Sequence, residues 1–172
     1  MKKLAITAAV AVGLSLAAGA ASAQTVVLVR HAEKADASRD PVLSEAGVRR
    51  AGELDATFGD HGPELVLVSP FQRTFLTAGP TIDAFDSEMK VVALDQGVDA
   101  HVAAVVTEVR SRPRDALVLV VGHSNTVPLI ARALGVEAAD MPECEYDRMT
   151  RIDLNEAAPT VHVTRYGAPA DC

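Results

Sequence analysis

Between residues 25 and 166, continuous apolar runs alternate with amphipathic stretches. Val26–Val29, Leu65–Val68 and the "ALVLVV" run at 116–121 lack polar alternation, so they read as strands buried on both faces. Lys90–Leu94 reads as a shorter strand. Between these runs, the spacing predicts helices over Ser44–Phe58, Ser69–Phe85, Ala100–Arg110 and Asn125–Leu134. Pro80 should kink or split the second helix. The third presents Val102, Val105, Val106 and Val109 on one face, and Gly135 ends the fourth. Arg148–Leu154 and Thr160–Tyr166 alternate as antiparallel or edge strands do. "SRPRD" at 111–115 and "DLNEAAP" at 153–159 read as ordinary loops. The expected fold is an α/β three-layer sandwich whose central sheet is mostly parallel.

The first residues follow a different rule. Lys2 and Lys3 precede an uncharged run to Ala20, and "ASA" at 21–23 has the small-x-small form of a cleavage site. Residues 1–23 therefore read as a secretory leader, with 24–172 as one domain exported to the periplasm or beyond the cell. An uncleaved anchor is the alternative, and it too exports the domain. Cleavage moves the net charge from −7 to −9, because Lys2 and Lys3 leave with the segment. No basic run remains, so nucleic acid is not an expected partner, and a released domain keeps no stable membrane insertion. An anionic substrate must then be held by local cations against the global field. Export makes a bridge between Cys144 and Cys172 permissible, two unpaired thiols being the alternative. The bridge would tie the C-terminus to the loop before the last strands, and is worth roughly 3–4 kcal/mol. Two cysteines without matching histidine spacing are not a zinc signature, and neither a metal nor an organic cofactor is implied.

In open α/β sheets, ligands bind beyond the C-terminal ends of the strands. Three apolar runs here end in chemistry: "RHAEK", "SPFQRT" and "GHSNT". In "SPFQRT", Ser69, Pro70 and Gln72 spell a capping box that starts a helix, with Arg73 in its first turn. A helix N-terminus beside a guanidinium suits an anion, although Arg73 could equally be a surface residue. In "VVGHSNT", Gly122 permits close backbone approach, His123 sits in the turn, and Ser124 or Asn125 caps the next helix. A lone histidine after a strand is more often structural than catalytic. Two histidines and two arginines at neighbouring strand ends are another matter. A neutral imidazole can carry phosphate covalently, and fixed cations match the charge on a transferring phosphoryl group.

"LVRHAEK", "SPFQRT" and "VVGHSNT" together resemble the histidine phosphatase superfamily, the phosphoglycerate-mutase-like group, over nearly all of 25–166. "DPVLSEAG" at 40–47 resembles the segment that opens the family's first helix. Ala32 stands where the family's Arg-His-Gly motif has glycine. The resemblance implies that His31 is the phosphorylated nucleophile and that Arg30, Arg73 and His123 complete the phosphate pocket, with Ser124 and Glu33 as further substrate contacts. It does not fix the proton donor. Asp95 and Asp99 lie nearest the place where short members carry a glutamate, and Glu33 and Glu143 are other acidic neighbours. Asp95 is the expected donor because it directly follows the predicted strand 90–94. Asp99 suits an N-terminal cap, and Glu33 lies near the charges of Arg30 and Lys34. His61, His101 and His162 read as structural or solvent-facing. "ECEYDRM" at 143–149 reads as an acidic loop, with Glu143, Glu145 or Tyr146 at the pocket rim as the alternative.

The expected function is metal-independent hydrolysis of a phosphomonoester through a phosphohistidine. A phosphohistidine or phosphoprotein phosphatase and a catalytically weak anion-binding member are the alternatives. The partner is a phosphorylated small molecule, and the oligomeric state is left open.

Overall fold

The computed structural model of the protein describes residues 23–154 and 158–172. The expected leader, except Ala23, and positions 155–157 of the predicted 153–159 loop lie outside the described residues. Six strands and four α-helices follow in the order β1 (Gln24–Arg30), α1 (Glu45–Leu54), β2 (Leu65–Val68), α2 (Gln72–Phe85), β3 (Glu88–Val91), α3 (Val98–Arg110), β4 (Leu117–Gly122), α4 (Val127–Ala133), β5 (Arg148–Leu154) and β6 (Thr160–Arg165). The sheet order is β3-β2-β4-β1-β5-β6. β1, β2, β3 and β4 run parallel, while β5 and β6 are antiparallel additions at one side.

Strand geometry explains why the central runs are apolar throughout. Successive side chains point to opposite faces of a sheet. Val26 and Leu28 of β1 join Leu65, Val118, Val120, Val105 and Ile130 in one core, on the α3 and α4 side. Val27 and Val29 join Val66, Val68, Leu119, Val121, Leu54 and Ala78 in the other, on the α1 and α2 side. Helices thus cover both faces, so neither set of positions can be polar. β3 is an exposed edge, and β6, also largely exposed, forms the other.

Several local expectations change. The 44–58 segment is an α-helix capped by the Ser44 hydroxyl, followed by a 3-10 turn over Asp55–Phe58. α2 is a single helix with Pro80 inside it. A proline removes one i→i−4 hydrogen bond, and buried Thr77, Ala78 and Thr81 hold this stretch against the sheet. α2 begins at Gln72 with Phe71 as its N-cap, so the capping box expected at Ser69 does not form. α4 begins at Val127 after Thr126, so neither Ser124 nor Asn125 is its cap. β3 ends at Val91 rather than Leu94, and Asp95 falls in the turn that follows. His101 is structural, buried inside α3 with Nδ1 on the Ala93 carbonyl at 3.0 Å. His61 and His162 are exposed.

Candidate active site

Register brings three strand ends to one level. Arg30 pairs with Gly122 across β1 and β4, and Val68 pairs with Val121 across β2 and β4. The residues that follow, His31, Ser69 and His123, therefore emerge side by side at the same rim. Gly122 is there for space: a Cβ would lie 2.8 Å from Thr126 Oγ1 and 3.1 Å from a Val127 methyl. Gly47, in "DPVLSEAG", has a similar task, since a Cβ there would lie 2.3 Å from the Glu33 carbonyl oxygen. α1 can lie against the loop after His31 only because that position lacks a side chain. Ala32 does not need to be glycine. Its φ is not positive, and its methyl packs with Leu43 and Ala51.

His31 is 3% exposed, and its backbone N–H donates to Gly122 O at 2.9 Å. Its ring Nδ1 lies 2.8 Å from the Ala32 carbonyl oxygen. A carbonyl only accepts, so Nδ1 carries the proton and the lone pair is left on Nε2. Ala32 is itself fixed, because its N–H donates to Thr77 Oγ1 at 2.9 Å and that hydroxyl donates to the Arg73 carbonyl at 2.7 Å. Burial lowers the His31 pKa to about 3, against the Ala32 hydrogen bond and with His123, Arg30 and Arg73 acting in the same direction as burial. The imidazole is therefore neutral at pH 7.

His123 faces it, with ring centroids 5.3 Å apart. Arg73 Nη2 lies 3.5 Å from His123 Nδ1. A guanidinium has no lone pair to offer, so Nδ1 accepts and Nε2 carries the proton, donating to Ser69 Oγ at 2.8 Å. Ser69, freed from the capping role, thus orients this ring. Burial lowers the His123 pKa to about 3, and Arg73 adds to the effect.

Arg30 is 1% exposed and heavily bonded. It donates to Pro142 O at 3.1 Å, to Glu143 O at 2.5 Å and to the Glu143 carboxylate at 2.8 Å, and it lies 4.1 Å from the Tyr146 ring centroid. Arg73 stacks 4.3 Å over the Phe71 ring and lies 3.7 Å from Asp40. The buried Nε atoms of both arginines lack a hydrogen-bond partner. Arg30, His31, Arg73 and His123, with Lys34, Phe71, Ser124 and Glu143, line one cavity of about 420 Å³. Three cations around neutral imidazoles make it suited to a small anion despite the acidic chain.

The cavity thus assembles Arg30, His31, Arg73, His123 and Ser124. It does not take in two other expected site residues. Glu33 turns toward α1, where Arg50 grips its carboxylate through Nε and Nη2 at 2.7–3.1 Å. Its partner is Arg50, not Arg30 or Lys34. Asp95 is exposed in the turn after β3, and its neighbour Leu94 reaches the cavity instead. The strand ends at Val91, three residues earlier than the periodicity predicts, which removes the reason for placing Asp95 at the rim.

The loop at 143–149 is not a plain acidic loop. Glu143 lines the cavity, with its carboxylate accepting from the Ser124 hydroxyl and from Arg30. The Ser124 hydrogen bond and Arg30 hold it below the usual carboxylate range. Glu145 is buried between Arg148 and Arg165, and Asp147 is buried against Arg165. A disulfide joins Cys144 to Cys172, with Cα atoms 5.4 Å apart. Phe71 and Lys34 also line the cavity without having been singled out as site residues. Both stand inside the quoted strand-end segments, the signal that could have found them. Among the described residues, no group of three or more His, Cys, Asp and Glu is arranged to hold a metal ion.

No curated protein matches the chain. Among solved structures, a candidate phosphohistidine phosphatase SixA from Nakamurella multipartitia is 26% identical, with a TM-score of 0.57 over 85% of this chain and 96% of that one. A protein histidine phosphatase SixA complexed with tungstate is 23% identical, with a TM-score of 0.63 over 82% and 96%. The α-ribazole phosphatase of Shigella flexneri is 18% identical, with a TM-score of 0.60 over 82% and 96%. The last two, at such identity, speak for the fold alone. Residues 26–96, which carry Arg30, His31 and Arg73, match the family model described as histidine phosphatase superfamily (branch 1). Over residues 26–96, and in its phosphoglycerate-mutase-like fold, the chain is similar to the histidine phosphatase superfamily.

Proposed function

We propose that the protein is an exported, metal-independent phosphatase that hydrolyses phosphomonoesters through a phosphohistidine at His31. The observation that carries this reading is the state of His31: buried, neutral, with Nδ1 committed to the Ala32 carbonyl and Nε2 left as a nucleophile. Nε2 attacks phosphorus, the ester oxygen leaves, and water then releases phosphate from the imidazole. Arg30 and Arg73 supply fixed positive charge where the transferring group spreads its negative charge. His123 adds a ring nitrogen whose proton state is set by Arg73 and Ser69. Export is supported by the leader-like start of the chain and by a disulfide, a bond that persists in oxidising compartments. Activity on p-nitrophenyl phosphate should survive EDTA, and loss restored by a divalent ion would sink the metal-free mechanism.

The likeness to the candidate SixA phosphatase at 26% identity supports a second reading, a phosphatase acting on phosphohistidine in proteins. An imidazole leaving group needs less acid help than an alkoxide. Side-by-side rates on an alkyl phosphate and on a phosphohistidine peptide distinguish the two, and the first reading predicts the larger kcat/KM on the ester. Phosphate binding without turnover of either would make the protein an anion binder.

A further inference from the structure

Beside the phosphate cavity lies a second hollow of about 300 Å³, between α4 and the loop that follows it. Its walls include Pro128, Leu129 and Met141, and it shares Ser124, Asn125 and Glu143 with the first. At its border the Arg132 guanidinium is already used, bonded to Asp140 at 2.5 Å and to the Ala138 carbonyl. The hollow therefore offers apolar surface and no spare cation. A second phosphate or a carboxylate would have to displace Asp140 from Arg132 and would face Glu143.

The geometry points to this hollow as the seat of the leaving group, and to Glu143, on the border of both cavities, as the residue that protonates the departing oxygen. The substrate class is then a phosphomonoester of an uncharged alcohol with an apolar body. This rests on the phosphatase reading above and deepens it.

Glu143 suits the task by position and by exposure. One carboxylate oxygen meets the Ser124 hydroxyl and the other lies 2.8 Å from Arg30 Nη2. The side chain is 77% exposed, so it exchanges protons with water freely. In the ligand-free pocket its charge is held by Ser124 and Arg30. A phosphoryl group on Arg30 takes over that cation and places negative charge beside the carboxylate, and both changes favour the protonated acid. In the first step a bond forms between His31 Nε2 and phosphorus, the P–O ester bond breaks, and the Glu143 proton goes to the ester oxygen, which leaves as the alcohol. In the second, water attacks phosphorus, its proton goes to the Glu143 carboxylate, and the N–P bond breaks. The acid is thereby restored for the next cycle. The sum is ester plus water giving alcohol plus phosphate.

Two sets of rates test the assignment. On methyl, n-butyl and n-hexyl phosphate, kcat/KM should rise with chain length, by at most about fourfold per buried methylene. Leu129→Glu should cost hexyl phosphate far more than methyl phosphate. A flat series in the unaltered protein overturns the leaving-group seat. Glu143→Gln should cost about 100-fold or more on n-butyl phosphate, the usual scale of general acid catalysis. With p-nitrophenyl phosphate, whose leaving group departs unprotonated, the same variant should release a burst of about one p-nitrophenolate per site and accumulate phosphohistidine. Glu143→Asp should recover part of the alkyl rate. Equal losses on both esters with no burst would reduce Glu143 to a positioning partner of Arg30. If His31 labels in the unaltered protein but this split is absent, only the acid role falls. If no ester ever labels His31, the phosphatase reading fails as well.

Discussion

The two sides of the pocket are built by different means. His31, Ser69, Arg73 and His123 follow from a parallel sheet: each stands at or just beyond the end of a buried strand and is fixed within a few residues by backbone and hydroxyl bonds. Pro142, Glu143 and Tyr146 come from a loop between α4 and β5 with no regular structure. That loop is held by the Cys144–Cys172 bridge and by ion pairs of Glu145 and Asp147 with Arg148 and Arg165. Arg30 joins the two, since its backbone belongs to β1 and its guanidinium is gripped by the loop. The strand-end side is held by the sheet and by α2, whereas the loop side needs a covalent tie and buried charge pairs. The candidate nucleophile and the bonds that fix it sit on the first, and the proposed acid Glu143 sits on the second.

Variants on the two sides should therefore fail differently. The largest effect belongs to the strand-end side. His31→Ala should lower kcat on p-nitrophenyl phosphate by roughly 10⁵–10⁶-fold, the scale of nucleophile loss, with the circular dichroism spectrum unchanged. Retained activity above a few per cent would show that another group is the nucleophile. Arg73→Ala should cost about 10²–10³-fold, as loss of one transition-state donor does. Arg73→Lys should not restore the rate, because an ammonium cannot reproduce a planar fork stacked on Phe71.

The loop side should respond through stability and affinity first. Replacing Cys144 and Cys172 together by serine should lower stability by about 2–4 kcal/mol in urea. Inhibition by inorganic phosphate should weaken in that variant while His31 still labels. Loss of labelling would mean that the tie also shapes the strand-end side. Asp95→Asn should change kcat/KM on alkyl phosphates by less than about twofold, as surface substitutions usually do. A selective loss on esters with basic leaving groups would return Asp95 to the chemistry.

The smallest change expected is none at all. Burial lowers the pKa of both His31 and His123 from 6.5 to about 3. Between those values the unfolded chain binds protons that the folded one refuses, so stability falls as pH drops below about 6.5 and carries no such penalty above it. The ring resonances of His31 and His123 should accordingly stay fixed from pH 8 to pH 5, while the urea midpoint declines over the acid part of that range. A midpoint near pH 6.5 for either ring would mean that it is not desolvated.

The same division explains what could be read from the chain. Strand ends obey local rules, and "RHAEK", "SPFQRT" and "GHSNT" contain nearly everything the strand-end side uses. The alternation of the two cores was equally legible, because Val26 and Val27 must both be apolar when helices cover both faces. The misreadings came where a tertiary partner outweighs a local signal. Ser69 looks like an N-cap but bonds His123 instead. Glu33 follows Arg30 closely in sequence, yet Arg50 holds it from seventeen positions away. Asp95 was placed by a strand that ends earlier than its apolar run. Glu143 and Tyr146 carried no periodic signal, since a disulfide and buried ion pairs put them in place.

One measurement bears most directly on the central claim. The protein is mixed with ³²P-labelled monoester, quenched within milliseconds and digested. The account predicts acid-labile, alkali-stable label on the peptide containing His31, formed and lost at rates that match turnover, and no label in His31→Ala. Turnover with no such label, or label that persists in His31→Ala, would contradict it.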